Sequence, residues 1–275
     1  MLIRPARPAD REAIVDFCRN TWGPNGGDYV EHAIDRWIAG VDGMLAVVEL
    51  SDRAVACCYT KLMSPRETFF SGMRVDPAHR RSGLARGLVG YCLEYARAEG
   101  RTVGRLIVGW NNVAALGAVA RAGFRQVGSM TAWERAVLDP EPAGAPGWPS
   151  GPVRELGAND RLPASPPGAL WAVGWSVREL TQDDVAERAA SGDALALDEG
   201  LALLRPGEDH LWLAWLDGPA AARQGLAEAA VGATVKAGFP RCRALLASDP
   251  VTSSALTAAR FEHGLEYHVF ERTTA

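Results

Sequence analysis

No apolar run in the 275 residues reaches the roughly 20 needed to cross a bilayer as a helix, and the opening Met1-Leu2-Ile3-Arg4-Pro5 lacks the apolar core of a secretory signal. Both absences lead to the expectation of a soluble, cytoplasmic protein with no membrane partner. Excess positive charge is missing too: 29 Lys and Arg against 33 Asp and Glu leave a net charge of −4, so bulk attraction to nucleic acid is not expected. The five cysteines, Cys18, Cys57, Cys58, Cys92 and Cys242, are odd in number, have no metal-ligand spacing and mostly fall in apolar runs. They read as buried thiols, with no metal centre expected. What the chain does have is 48% hydrophobic residues and a length comfortable for two domains, each able to bury its own core.

The most informative stretch is Phe69 to Glu99. An apolar run ends at Val75, the chain turns through Asp76 and Pro77, and an Arg- and Gly-rich loop follows. Then Leu84, Leu88, Cys92 and Ala96 recur every four residues, widened by Val89 and Leu93, while Arg86, Glu94 and Arg97 take the opposite side. The order is strand, loop, amphipathic helix, with Gly100 as the stop.

The loop suits a diphosphate. Gly83 and Ala85 carry little or no side chain, so a ligand can approach the backbone, and the N–H groups around Arg81 to Arg86 belong to a helix N-terminus that favours an anion. Four arginines, Arg74, Arg80, Arg81 and Arg86, concentrate positive charge there in an otherwise acidic chain.

The R-x-x-G-x-A pattern of Arg80, Gly83 and Ala85, preceded by V-D-P, resembles the coenzyme A loop of the GNAT superfamily of acetyl-CoA-dependent N-acyltransferases. Asn112, Ala115, Gly123 and Phe124 are similar to that family's second signature, and the resemblance covers about residues 2 to 137. It implies an α/β fold in the α+β mixed-sheet sense, a mostly antiparallel twisted sheet flanked by helices. It implies acetyl-CoA as co-substrate, with the Met73, Arg74 and Val75 backbone bonding the pantetheine arm. Arg80, Arg81, Ser82, Gly83, Leu84, Ala85 and Arg86 would hold the diphosphate, and Asn112 would touch the pantetheine.

The same resemblance places an acceptor wall between the first two helices, which points to Trp22, Asp28, Tyr29 and Trp37 as substrate contacts for a small-molecule amine. Trp22 and Trp37 also sit at core spacing, and Asp28 after two glycines is an ordinary helix cap. The catalytic groups stay unassigned. Many relatives carry a Tyr as general acid seven residues after the Asn, where this chain has Val119; Glu67, Ser71, Tyr29 and Tyr59 are alternatives that spacing does not separate. Two functions are therefore expected to compete: an N-acetyltransferase, and a non-catalytic module that binds acyl-CoA without turnover.

Strands are expected at Leu2–Arg4, Gly43–Glu49, Arg53–Met63, Phe69–Val75, Gly104–Trp110 and Phe124–Leu138, with helices after Pro8, from Val30 and from Asn112. Eight of the 17 prolines fall between Asp139 and Gly168, so a domain is expected at 1–138, a Pro-rich linker at 139–168 and a second domain at 169–275. The second domain repeats the first weakly. Gly218–Ala227 aligns without gaps on Asp76–Ala85 with six of ten residues identical, and Ser176–Leu180 followed by Thr181-x-x-Asp184 echoes the amino-terminal strand and helix start. Yet Ala222 replaces Arg80, Asp217 stands at the strand end, Asp249 replaces Asn112 and Arg260 replaces Gly123. A carboxylate there repels a diphosphate, so this copy is expected to be degenerate, in a monomer or homodimer.

Overall fold

The computed structural model describes residues 1–19, 21, 27–137 and 153–274. The chain forms two compact units, one from Met1–Val108, Asn112–Val127 and Phe270–Ala275, the other from Gly109–Asn111 and Gly128–Val269.

Unit 1 contains β1 (Leu2–Pro5), α1 (Arg11–Cys18), α2 (Val30–Ile38), β2 (Gly43–Leu50), β3 (Arg53–Leu62), β4 (Glu67–Val75), α3 (Leu84–Ala98), β5 (Val103–Gly109) and α4 (Val113–Arg121). It also takes the first residues of β6 (Arg125–Ala136). Strands β1 to β4 pair antiparallel in sequence order, and β5 lies parallel to β4. The strands expected at Gly43–Glu49, Arg53–Met63 and Phe69–Val75 are therefore present, and they pair antiparallel.

Strand β3 is buried from Ala54 to Thr60 because both sheet faces are covered. On one face Val55, Ala56 and Cys58 join Leu84, Leu88 and Cys92 of α3. On the other, Cys57 and Tyr59 meet Ile14, Phe17 and Cys18 of α1 and Ile34 and Trp37 of α2. Side chains of one strand thus enter two cores, which is why its sequence reads as a continuous apolar run. The every-fourth-residue stripe of α3 is the face that packs: Leu88, Cys92 and Ala96 are fully buried.

The parallel pairing of β4 and β5 is short. It runs from Glu67↔Val103 to Phe69↔Arg105 and, among the described residues, goes no further although both strands continue. From Phe70 onward their facing edges are left for another partner.

Unit 2 contains β7 (Arg154–Glu155), β8 (Leu170–Val173), β9 (Ser176–Glu179), α5 (Gln182–Ala190), β10 (Ala194–Leu197), β11 (Gly200–Pro206), β12 (Leu211–Asp217), α6 (Ala220–Lys236), β13 (Arg241–Ala247) and α7 (Pro250–Ala258). Most of β14 (Glu262–Thr273) belongs to it as well. The plan of unit 1 recurs: β10, β11 and β12 pair antiparallel, and β12 and β13 pair parallel over only Leu211↔Cys242 to Leu213↔Ala244. The expected capping box starts α5, with Thr181 and Asp184 bonding each other's backbone N–H.

The end strands do not follow the division expected at residue 138. From Gly128 onward β6 belongs to unit 2 and pairs with β13 from Met130↔Ala247 to Ala136↔Arg241. The last residues of the chain, Phe270–Ala275, belong to unit 1, where Phe270 packs in the core with Leu88 and Phe124. Of the Pro-rich stretch, β7 pairs with β10, which places Arg154 and Glu155 in unit 2; Trp148 lies outside the described residues.

Candidate active site

The loop between β4 and α3 begins with a short turn at Pro77–His79, capped by the Asp76 side chain on the Ala78 N–H. Arg81 and Gly83 then adopt left-handed backbone, φ +63° and +82°. Gly83 is the residue before α3, and no side chain caps that helix. The first two bonded groups are the N–H of Arg86 and Gly87, both donating to the Gly83 carbonyl. Among the described residues, the five N–H groups of Arg81 to Ala85 have no acceptor. Ser82 turns its hydroxyl back to the His79 carbonyl, so it does not fill this cradle.

Consecutive unpaired donors at the positive end of a 15-residue helix make an anion site. Arg80, Arg81 and Arg86 are exposed around it, and none has a carboxylate partner among the described residues. The fourth expected arginine is elsewhere. Arg74 forks onto Asp28, Nε to Oδ2 at 2.7 Å and Nη2 to Oδ1 at 3.2 Å, with the carboxylate almost fully buried. Strand alternation turns its side chain away from the loop, so only its backbone faces the open edge of β4.

Above that edge β4 carries a bulge. Tyr59 pairs with Ser71 and Cys57 with Arg74, so Gly72 and Met73 together oppose Cys58. Gly72 has φ +60°, and a Cβ there would sit 2.6 Å from the Trp37 ring, which explains the glycine. Its N–H donates to the Tyr29 hydroxyl at 2.9 Å. Tyr29 is half-exposed, with Trp37 edge-on at 6.0 Å and the Arg74 guanidinium 5.5 Å from its ring. Burial of the hydroxyl, opposed by the Arg74 charge, raises its pKa.

The acceptor-wall expectations divide. Asp28 and Trp37 are structural: Asp28 is spent on Arg74 and on the Val30 N–H at 3.1 Å, and Trp37 is buried, stacked on Tyr59 with centroids 4.7 Å apart. A buried, fully bonded carboxylate does not attract a cationic amine, so the expected contact of Asp28 with substrate is withdrawn. Tyr29 remains exposed at the bulge, and Trp22 lies outside the described residues.

The proton-transfer alternatives separate in the same way. Glu67 is buried in an ion pair with Arg105 and bonded by Ser64, at the far end of β4. Five residues of strand, about 17 Å, separate it from the bulge. Tyr59 donates to Asp42 on the other face, where burial and that carboxylate push its pKa far up. Ser71 pairs with Tyr59 beside the bulge. Val119, at the position where relatives carry a Tyr, packs against the α3 core. Asn112 caps α4 by accepting from the Ala115 N–H at 3.1 Å, a role its place before a helix makes natural.

All five cysteines are buried and free. The thiols of Cys57 and Cys58 donate to the Gly72 and Ser71 carbonyls, and their neighbours Cys18 and Cys92, together with burial, push their pKa values well up. Such thiols are poor nucleophiles.

In unit 2 the equivalent loop is absent. Sequence alignment pairs Leu226 with Leu84, the first residue of α3, yet α6 already begins at Ala220. Arg223 lies in this added helical stretch and is saturated by Gly218 O at 2.8 Å, Asp217 at 2.8 Å, Asp249 at 3.2 Å and Thr252 at 2.6 Å. A cleft of about 240 Å³ survives between the diverging ends of β12 and β13, lined by Leu216, Leu245, Leu246 and Ala247 with this cluster at its mouth. One guanidinium neutralised by two carboxylates does not bind a diphosphate. The gapless match of ten residues therefore conceals a change from loop to helix.

The sequence profile of the acetyltransferase (GNAT) family matches residues 11–124. The match covers less than half of the chain. The profile ends within unit 1, and likeness to solved structures extends the GNAT fold to the whole chain. A GCN5-related N-acetyltransferase from Sphaerobacter thermophilus is 16% identical with a TM-score of 0.68, the match covering 99% of this chain and 95% of that one. A tandem GNAT protein from the clavulanic acid biosynthesis pathway is 15% identical with a TM-score of 0.59, covering 100% and 98%. No curated protein matches in sequence. The chain has a tandem GNAT fold, in which unit 1 has a loop of unpaired N–H groups before α3 and unit 2 has helix at the matching position.

Proposed function

We propose that unit 1 is an acetyl-CoA-dependent N-acetyltransferase whose acceptor is a primary amine on a small molecule or peptide. The observation that carries this reading is the run of N–H groups from Arg81 to Ala85, ringed by three arginines, that have neither acceptors nor acidic partners among the described residues. That donor set fits the diphosphate of coenzyme A. The open edges of β4 and β5 fit an extended, amide-bearing arm, bonded by the backbone of Met73, Arg74 and Val75 and touched by Asn112.

Acetyl-CoA supplies an acyl group activated as a thioester. The chain supplies the rest: a bulge at Gly72–Met73, its Gly72 N–H bonded to the Tyr29 hydroxyl, beside which the acyl group is positioned, and aromatic cover that limits water. The amine acts directly on the acyl carbon, and thiol is a good enough leaving group for transfer to continue without the Tyr that Val119 replaces.

Purified protein mixed with acetyl-CoA and a panel of small amines and peptides is expected to release coenzyme A thiol in an amine-dependent way. Acetyl-CoA binding without release across a broad panel supports the acyl-CoA-binding module instead, a reading favoured by Val119. Absence of calorimetric heat with both acetyl-CoA and coenzyme A overturns both.

A further inference from the structure

Val119 cannot donate a proton, but a phenol lies at the β4 bulge from a different element. Tyr29 comes from the turn before α2, and its hydroxyl accepts the Gly72 N–H at the β4 bulge. Having accepted that bond, the phenol still has its own proton to give, and among the described residues the proton has no acceptor. Tyr59 differs, since its proton is already committed to Asp42.

We propose that Tyr29 is the catalytic proton donor of unit 1, delivering its Oη proton to the thiolate sulfur released beside the Gly72 bulge. This rests on the acetyltransferase reading above. The C–N bond forms, the C–S bond breaks with its electron pair on sulfur, and sulfur takes the Tyr29 proton. The phenolate recovers a proton, through water, from the ammonium that the nucleophilic amine has become. No oxidant or other reactant is needed.

The surroundings suit the task. Burial keeps the phenol protonated at neutral pH, while the Arg74 guanidinium over the ring stabilises the phenolate during transfer. Asp28 faces the same hydroxyl but is neutralised by Arg74, and the Cys57 thiol, which also faces it, is held protonated by Cys18 and burial. Trp37 stands edge-on to the ring, and the rest of Tyr29 is open to solvent.

Tyr29→Phe tests this, keeping the ring that packs on Trp37 and removing only the hydroxyl. Expected are a kcat lowered about 100-fold and a KM for acetyl-CoA within about threefold of wild type. Calorimetric affinity for coenzyme A should be unchanged. Because the hydroxyl also bonds Gly72, a second variant carries fluorotyrosine at position 29, which lowers the phenol pKa without removing the bond. The alkaline limb of its kcat profile should move to lower pH, and so should the phenolate absorption titration of the unliganded protein. A Tyr29→Phe kcat within about twofold of wild type, or an unmoved alkaline limb in the fluorotyrosine enzyme, overturns the proposal. If the wild type itself shows no amine-dependent thiol release, the acetyltransferase reading fails first.

Discussion

At the scale of single residues, Gly72 and Asp10 show how local chemistry sets what the chain tolerates. Gly72 combines a left-handed backbone with a ring packed where a Cβ would lie. Gly72→Ala is expected to cost about 2–4 kcal/mol in urea unfolding, from backbone strain plus overpacking against Trp37. It should also lower kcat, because the donor offered to Tyr29 moves. Asp10 is held below the usual carboxylate range chiefly by its hydrogen bonds to Arg4, against the opposing effect of burial. A depressed folded-state pKa contributes stability above the unfolded value of about 3.9 and loses it as pH falls through the folded value. Acid unfolding should therefore steepen below about pH 4 in wild type and be shallower in Asp10→Asn, read from unfolding midpoints between about pH 2 and 6. Asp28 and Trp37 carry the lesson about legibility at this scale. A carboxylate and a ring in an acceptor region look alike in sequence whether they face substrate or core, and only the partner, here Arg74 and Tyr59, decides.

At the scale of elements, the β4–loop–α3 segment was readable because each part has a local cause. Apolar residues every four positions place α3, Asp76 and Pro77 turn the chain, and Gly83 supplies a conformation that other residues resist. Gly83→Val tests the loop, since nothing lies within 4 Å of a Cβ there but φ is +82°. The expected outcome is a coenzyme A affinity at least about tenfold weaker by calorimetry, with a melting temperature lowered by only a few degrees from the backbone strain. The corresponding segment of unit 2 was misleading for an equally physical reason. Pro219 ahead of three alanines starts a helix readily, so residues that match the loop position by position continue α6 instead. Six identities in ten do not preserve a backbone whose shape depends on the Arg81 and Gly83 conformations.

At the scale of the whole molecule, unit 1 is incomplete without the end of the chain. Phe270 is in its core, and Glu271 bonds Arg105 at 2.7 and 3.0 Å and Arg125 at 2.9 Å. Truncation after Val269 is expected to destabilise unit 1 by about 3–5 kcal/mol, through a lost core aromatic and a buried arginine left with Glu67 alone. Hydrogen exchange should show it as faster exchange in β5, with coenzyme A binding weakened although residues 11–124 are intact. No periodicity announces such an arrangement. A strand pattern reports that a segment is half-buried, not which partner buries it, because pairing energy is similar for any apolar edge of matching length.

By itself the sequence determined the strand, loop and helix from β4 to α3 and the order of elements in unit 1, because glycine conformation and helical spacing act between near neighbours in the chain. Only the tertiary structure decided that Arg74 serves Asp28 rather than the diphosphate, that Tyr29 meets the Gly72 bulge and that Phe270–Ala275 complete unit 1. Those outcomes join residues such as Arg105 and Glu271, 166 positions apart, and burial, which arises only on folding, fixes which of several chemically equal partners each one takes.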